Sequence, residues 1–574
     1  MNNRRKVLVI GLDGMTSLSL HTFVDGGHMP HVKALIDAGR EGTLMSTMPP
    51  VTGPAWASFF TGRNPGSHGI LDFFTATGDG RSRRLVNSRA VGGMTLWDLL
   101  NAAGKTQVVV NTPLTYPPTP VKGAMITGML TPDAKSELTW PTDLYERLEP
   151  ELGEYVITVN WQDYSHETAV DFLRALRHCN SQRTRYILRL MDDYDADFTM
   201  ATFTGTDRIH HALWHYIDPA IRANLGDRYD PAVAEGIVGY FRQLDENIGK
   251  IVEKAGDEAA LFFVSDHGFG HLDCKVYVNN WLERQGLLKI RHSRLRAYRA
   301  AVAAARLVRR VGKKIWRRRP DRAKGRQART AGDRSTRSPG QSHEKTPQRA
   351  ALANLAFYHV FYNSIDWSRT RAYMASNSEQ GIYVNLKGRE PFGIVDPSDY
   401  DAVCDEVHEA LRSLTDARGR PLLTRFLKRD DVYTGPFTER APDVIFALDE
   451  GAALAEIHLG GGELFRDISW KTGSGNHRME GYFLASGKEI VHGKNLSAGI
   501  MDVMPTILYY LGIPVPSDLD GQMIGEIFSH EFLAREEPLF AGTAATCASA
   551  AGDPFSQTEE AELQDRLRRL GYMD

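Results

Sequence analysis

Five stretches carry side chains able to do chemistry. Val7-Leu-Val-Ile-Gly-Leu-Asp13-Gly14 ends an apolar run in a carboxylate. An Asp there either meets a ligand at the carboxyl edge of a parallel sheet or simply forms a turn. Pro50-Val-Thr52-Gly-Pro54 places a hydroxyl just before a helix start, because Pro suits the first turn. Thr52 then serves as a helix cap, or as a hydroxyl beside an anion held at the positive helix end. Asp207-Arg-Ile-His210-His211 follows another apolar run. Asp207 and His211, four apart on one helix face, can grip one ion; Asp207 with His210 is the alternative pair, and an Asp cap with surface histidines the plain reading. Phe262-Phe-Val-Ser-Asp266-His267-Gly268 ends a strand-like run in two metal-competent side chains. His477 lies in the Gly-rich Gly473-Ser-Gly-Asn-His477-Arg-Met-Glu-Gly481, a loop with slack to reach a site or merely a surface loop. His68, His210, His215 and His271 lie near these stretches and suit supporting roles.

The elements that must position these residues are legible as alternating short apolar runs and longer helical patterns. Strands are expected at Lys6–Leu12, Gln107–Asn111, Tyr155–Asn160, Phe198–Phe203 and Ala260–Ser265, and helices at Thr168–Leu190 and Pro231–Lys254. That alternation predicts an α/β fold, a central, mostly parallel sheet flanked by helices, with an inserted cap region. Further strands are expected at Gly381–Leu386, Val444–Leu448 and Tyr482–Ala485, and helices at Ala498–Leu511 and Glu559–Leu570. Asn160, Trp161, Asn377 and Arg389 are candidates for lining the cap.

Between Lys289 and Arg349 the pattern breaks: 21 Lys and Arg stand against 3 Asp and Glu, in a chain whose formal net charge is -3. The body is correspondingly acidic. Residues 294–319 have the spacing of an amphipathic helix with a basic face, and 320–349 the composition of a disordered tail. Residues 291–326 fit an anionic membrane surface as partner; nucleic acid fits less well, since aromatics are limited to Tyr298 and Trp316. Four cysteines without close pairing among 574 residues favour a reducing compartment over a disulfide framework. The start of the chain reads as a buried strand rather than a leader, and no run reaches a membrane span, so a cytoplasmic protein, peripheral at most, is expected. The expected organisation is a core (1–288), the basic insert (289–350), cap elements and the rest of the core (351–536), and a tail with a short helix (537–574).

Taken in order, Asp13, Thr52 with Thr61-Gly62 and His68-Gly69-Ile70, Asp207/His211, Asp266-His267 and His477 resemble the alkaline phosphatase superfamily, in particular its type I phosphodiesterase/nucleotide pyrophosphatase branch and related bacterial phosphohydrolases and phosphomutases. Met501-Asp-Val-Met-Pro505 through Pro514 and Asp520-Gly521 resemble its C-terminal signature. The resemblance implies a metal-dependent phosphoric ester hydrolase acting on a small-molecule phosphate ester through a covalent phospho-Thr52 intermediate. It implies two divalent metal ions, one on Asp13, Thr52, Asp266 and His267, the other on Asp207, His211 and His477. Ligands of O and N without thiolate suit Zn2+ or, alternatively, Mn2+. Nucleotide pyrophosphatases carry an Asn about 21 residues after the nucleophile, where this chain has Phe73; sulfatases carry a Cys/Ser-x-Pro-x-Arg motif, where it has Thr52-Gly-Pro-Ala-Trp56. Competing readings are a phosphomutase of the same superfamily and a membrane-surface binding protein acting through the basic insert.

Overall fold

The computed structural model describes residues 4–77, 83–133, 136–161, 164–298, 300, 360–468, 473–543 and 555–569. Its framework is a nine-stranded sheet. In chain order the strands are β1 (Lys6–Leu12), β2 (Arg40–Met45), β3 (Gln107–Val110), β4 (Gly123–Ile126), β5 (Thr139–Trp140), β6 (Phe198–Phe203), β7 (Ala259–Val264), β8 (Glu480–Ser486) and β9 (Gly493–Gly499). The helices that bear on the site are α1 (Thr52–Thr61), α2 (Ala169–Asp193), α3 (Gly205–Ile217) and α4 (Pro231–Ala255).

The spatial order is β9-β2-β8-β7-β1-β6-β3-β4-β5. β7, β1, β6, β3 and β4 run parallel, as does the β2–β9 pair. β8 is antiparallel to both its neighbours, and β5 is an antiparallel edge. Successive residues of β1 enter opposite cores: Val7 and Val9 one, Leu8, Ile10 and Leu12 the other. Burial of both faces is why these strands read as continuous apolar runs. Every residue of α1 is buried, so this helix is held by core packing on all sides.

A second, seven-stranded sheet is assembled from Cys274–Tyr277 and from strands between Ala372 and Asp467. It therefore lies, in sequence, between His267 and His477. The two ends of this excursion are zipped together: Gly268–His271 pairs antiparallel with Gly475–Arg478, in the register Phe269↔His477.

Three expectations change. Residues 155–160 form no strand. Side chains of α2 take up carbonyls there instead, Cys179 Sγ donating to Val156 at 3.4 Å and Arg183 to Ile157 at 2.9 Å, while Gln182 donates to the carbonyls of Leu152 and Glu154 just before. The helix expected from Ala498 begins at Val503, because β9 runs to Gly499 and a 3-10 turn, closed by Gly499 N–H donating to Asp502 at 2.7 Å, intervenes. The expected strand at Gly381–Leu386 ends at Val384. Of the basic segment, residues 292–298 are helical with Leu295 buried; most of the expected basic helix and the whole expected tail fall outside the described residues. Among the described residues no helix is long and apolar enough to cross a membrane.

Candidate active site

Three adjacent parallel strands deliver carboxylates to one rim of the sheet. Asp13 follows β1, Asp266 and His267 follow β7, and Asp207 lies in the first turn of α3, directly after β6. Gly14 makes the turn after Asp13 with φ +68°; a Cβ there would meet the Phe269 ring at 2.7 Å. Hydrogen bonds lock the loops to one another. Gly14 N–H donates to Asp266 Oδ1 at 3.0 Å, Met15 N–H to Ser265 Oγ at 2.7 Å, and Thr206 Oγ1 to the Asp13 carbonyl at 2.5 Å.

His267 stands at the centre. Its Nε2 is 3.7 Å from Asp13, 4.0 Å from Asp207, 3.3 Å from Asp266 and 3.2 Å from Thr52 Oγ1. Thr52 does not cap α1: Val51 holds the cap position, and Thr52 is the first helical residue, fully buried. His211 and His477 close the other side. Their Nε2 atoms are 2.9 Å apart and lie 3.4 and 3.5 Å from Asp207 Oδ1. The structure thus brings all seven residues named from the sequence into one cluster. Two triads have ligand atoms mutually within 4.8 Å: Asp13, Asp266 and His267, and Asp207, His267 and His477. His267 is common to both.

The donor set fits divalent cations. Nδ1 of His477 lies 2.8 Å from the Pro50 carbonyl, that of His211 3.3 Å from the Gly475 carbonyl and that of His267 3.1 Å from the Gly268 carbonyl. A carbonyl only accepts, so each Nδ1 carries the hydrogen and each Nε2 turns a lone pair inward. Lone pairs of His211 and His477 and a carboxylate oxygen of Asp207 therefore face one another, an arrangement a cation resolves. Asp13 Oδ1 and Oδ2, Asp207 Oδ1 and Asp266 Oδ2 are buried and find no hydrogen-bond donor among the described residues. An uncompensated buried carboxylate costs several kcal/mol.

The titration behaviour follows from burial. It pushes Asp266 up to about 7, with Asp207 adding repulsion, and holds Asp13 well above the carboxylate range, with Asp266 and Asp207 adding to the rise. Asp207 goes the other way: burial alone would raise it, but His211, Arg208 and His477 outweigh that. Burial lowers His211 to about 3 and His267 well below the ordinary imidazole value, so both are neutral near pH 7.

Sequence reasoning missed several supports. Arg208 donates to Asp207 Oδ2 at 2.7 Å, leaving Oδ1 to face the imidazoles. Phe269, nearly fully buried, packs its ring against His210, His211, His267 and His477 at 4.7–5.7 Å between centroids. No local signal marks it, since it is one more apolar residue in a strand. The supporting histidines point elsewhere: His210 Nδ1 meets the Gly14 carbonyl at 2.9 Å, His68 Nε2 the Ser58 hydroxyl at 2.9 Å, His215 the Ser474 hydroxyl at 2.6 Å, and His271 pairs with Asp273 at 3.5 Å. Phe73 is buried against Gly53, where a Cβ would meet its ring at 3.2 Å. Of the cap candidates, Asn377 lines the cavity above the site, Arg389 is engaged by Asp443 at 2.6 Å, and Trp161 packs on Phe172.

The polar cluster stands where open, mostly parallel α/β sheets hold their ligands, at the carboxyl rim of the strands. The chain belongs to the type I phosphodiesterase / nucleotide pyrophosphatase family, whose sequence model matches residues 7–473, and is a hydrolase of that phosphoryl-ester class. Phosphonoacetate hydrolase from Sinorhizobium meliloti 1021, solved with phosphonoformate, shares the fold at 13% identity and a TM-score of 0.51, covering 89% of this chain and 96% of that one. Murine ectonucleotide pyrophosphatase / phosphodiesterase 5 aligns at 12% identity and TM-score 0.47 over 92% of this chain and 100% of that one. A variant of the alkaline phosphatase PafA aligns at 14% and 0.48 over 92% and 99%. No curated protein matches the chain.

Proposed function

We propose that the chain hydrolyses a small-molecule phosphoric ester through a covalent phospho-Thr52 intermediate, at a site holding two divalent cations, Zn2+ or alternatively Mn2+. The observation that carries this is the buried Thr52 hydroxyl at the start of α1, 3.2 Å from His267 and amid three buried carboxylates. Asp13, Thr52, Asp266 and His267 would hold one cation, and Asp207, His211 and His477 the other. Three carboxylates and a Thr alkoxide would offset most of about +4 of charge. When bound, the cations supply that neutralisation, a lower pKa at the Thr52 hydroxyl and electrostatic stabilisation of the transferring phosphoryl group.

The chain's own residues do the rest. Thr52 Oγ1 gives up its proton to solvent and forms a bond to phosphorus, and the bond from phosphorus to the organic oxygen breaks, that oxygen leaving as an alcohol once protonated from solvent. The positive end of α1 favours the negative charge gathered at its first residue. Water then attacks phospho-Thr52, the Thr52 oxygen–phosphorus bond breaks, and the hydroxyl returns as phosphate, or a phosphomonoester from a diester, is released. The packing of Phe73 beside Gly53, with no side-chain amide at that position, supports ester hydrolysis over nucleotide pyrophosphate cleavage.

Thr52→Ala should lower turnover of 4-nitrophenyl phosphate and bis(4-nitrophenyl) phosphate at least about a thousandfold while metal content stays unchanged. Thr52→Ser should retain measurable turnover, and acid-quenched wild type should carry phosphothreonine at position 52 by mass spectrometry. Turnover surviving in Thr52→Ala removes the nucleophile assignment.

A further inference from the structure

The cluster opens into a cavity of about 380 Å3 between the rim of the main sheet and the second sheet, within the roughly 300–1,000 Å3 of pockets that hold small organic molecules. Its floor includes Val51, the residue before Thr52, together with His477. Its walls are Met48 from the core and Phe446, Leu448 and Leu454 from the second sheet. The amide and guanidinium side chains that reach it are engaged with the protein, while Ser378 and Glu480 also line it. Gln380 Nε2 donates to the Ala455 carbonyl at 3.1 Å, and its Oε1 accepts from Ala455 N–H at 3.3 Å. Asn377 Oδ1 accepts from Ile457 N–H at 2.8 Å, and Asn476 Nδ2 donates to the Gly451 carbonyl at 2.8 Å. Arg478 donates to the carbonyls of His271 and His477 at 2.6 and 3.0 Å, and Arg425 pairs with Glu450 at 3.3 Å.

A sugar or nucleobase placed here would leave water for apolar walls and for amides already in use, the costly direction for a polar group. An apolar group would gain from the same burial. We propose that this cavity binds the organic group of the ester, and that this group is an apolar aryl or branched alkyl alcohol rather than a nucleoside. The proposal rests on the hydrolase reading for why an ester sits over Thr52, and on the cavity's chemistry for what the ester carries.

The test uses the full-length, metal-loaded protein and a series of 4-nitrophenyl phosphodiesters whose second group is methyl, phenyl, 1-naphthyl or 5′-thymidyl. The ratio kcat/KM should rise at least about tenfold from methyl to naphthyl, with naphthyl above thymidyl. Leu454 is half-buried at the cavity wall; Leu454→Arg, whose side chain would project into the cavity, should shrink the naphthyl-to-methyl ratio to about twofold or less. A wild-type series flat in group size, or led by thymidyl, overturns the proposal. Calorimetric titration with 1-naphthylphosphonate and methylphosphonate, which do not react, separates it from the hydrolase reading. Naphthyl binding at least about tenfold tighter, with the difference lost in Leu454→Arg, upholds the pocket even if no ester turns over. Equal binding of the two overturns it whatever the turnover.

Discussion

At the scale of single residues, the site is an array of acceptors held close by groups that do not neutralise it. Carbonyls of Pro50, Gly268 and Gly475 fix the imidazole tautomers, and Arg208 occupies one oxygen of Asp207. The pH consequence centres on Asp266, whose ordinary pKa of 3.8 burial pushes up to about 7. A folded pKa above the unfolded one means that the metal-free folded state binds the proton more tightly. The stability this contributes is complete below about pH 4 and lost as the pH rises through about 7. Metal ions bind the deprotonated carboxylate and act in the opposite sense. The difference in Tm between metal-loaded and chelator-treated protein should therefore widen as the pH is raised from 5 to 8. A difference constant over that interval refutes this account of Asp266.

At the scale of elements, the decisive piece is the short antiparallel pairing of Gly268–His271 with Gly475–Arg478. It returns the chain from the second sheet to the core and sets His477 opposite Phe269, whose neighbour is Gly268, next to His267. Space is tight: a Cβ on Gly475 would lie 2.2 Å from the His210 carbonyl oxygen. Phe269 fills the gap among four imidazoles, so Phe269→Ala removes both buried area and the wall that orients them. It should cost about 3–5 kcal/mol in denaturant unfolding and weaken metal retention in dialysis against chelator. Phe269→Leu should restore most of the stability and less of the metal retention, since a flat ring sets the imidazole angles. Full metal retention in Phe269→Ala would show that the ring only packs.

At the scale of the whole molecule, the second sheet is fastened to the core by a buried ionic cluster as well as by the hairpin. Arg83 pairs with Glu379 and lies 3.7 Å from Asp72, which accepts from Ser376 at 2.6 Å. Asp72 precedes Phe73, whose ring packs on Gly53 next to Thr52, so this fastening reaches the start of α1 through one side-chain contact. Arg83→Met leaves two buried carboxylates without their cation and should lower unfolding free energy by about 3–5 kcal/mol. Adding Glu379→Leu should recover a large part of that loss. A double variant no more stable than the single one would mean that Arg83 holds the sheets by packing alone.

The sequence by itself determined which runs become strands buried on both faces, because an uninterrupted apolar run has no solvent-facing side. It also determined where polar side chains must emerge, since Asp13, Asp207 and Asp266-His267 each follow such a run within a few residues. Local helix geometry made Asp207 and His211 neighbours. What covers those groups was left to the tertiary structure. Periodicity reports that residues 155–160 are partly apolar, but not that α2 side chains rather than a strand take their carbonyls. It marks Phe269, Met48 and Leu454 as apolar, not as the ring among the histidines or the walls of a cavity. It leaves open whether Thr52 caps the helix, whereas in the fold Val51 takes the cap position and His267, from 215 positions away, comes within 3.2 Å of the Thr52 hydroxyl. Each of these depends on pairing between segments distant in the chain, and the energy of such a contact resides in both partners at once, so neither stretch of sequence specifies it alone.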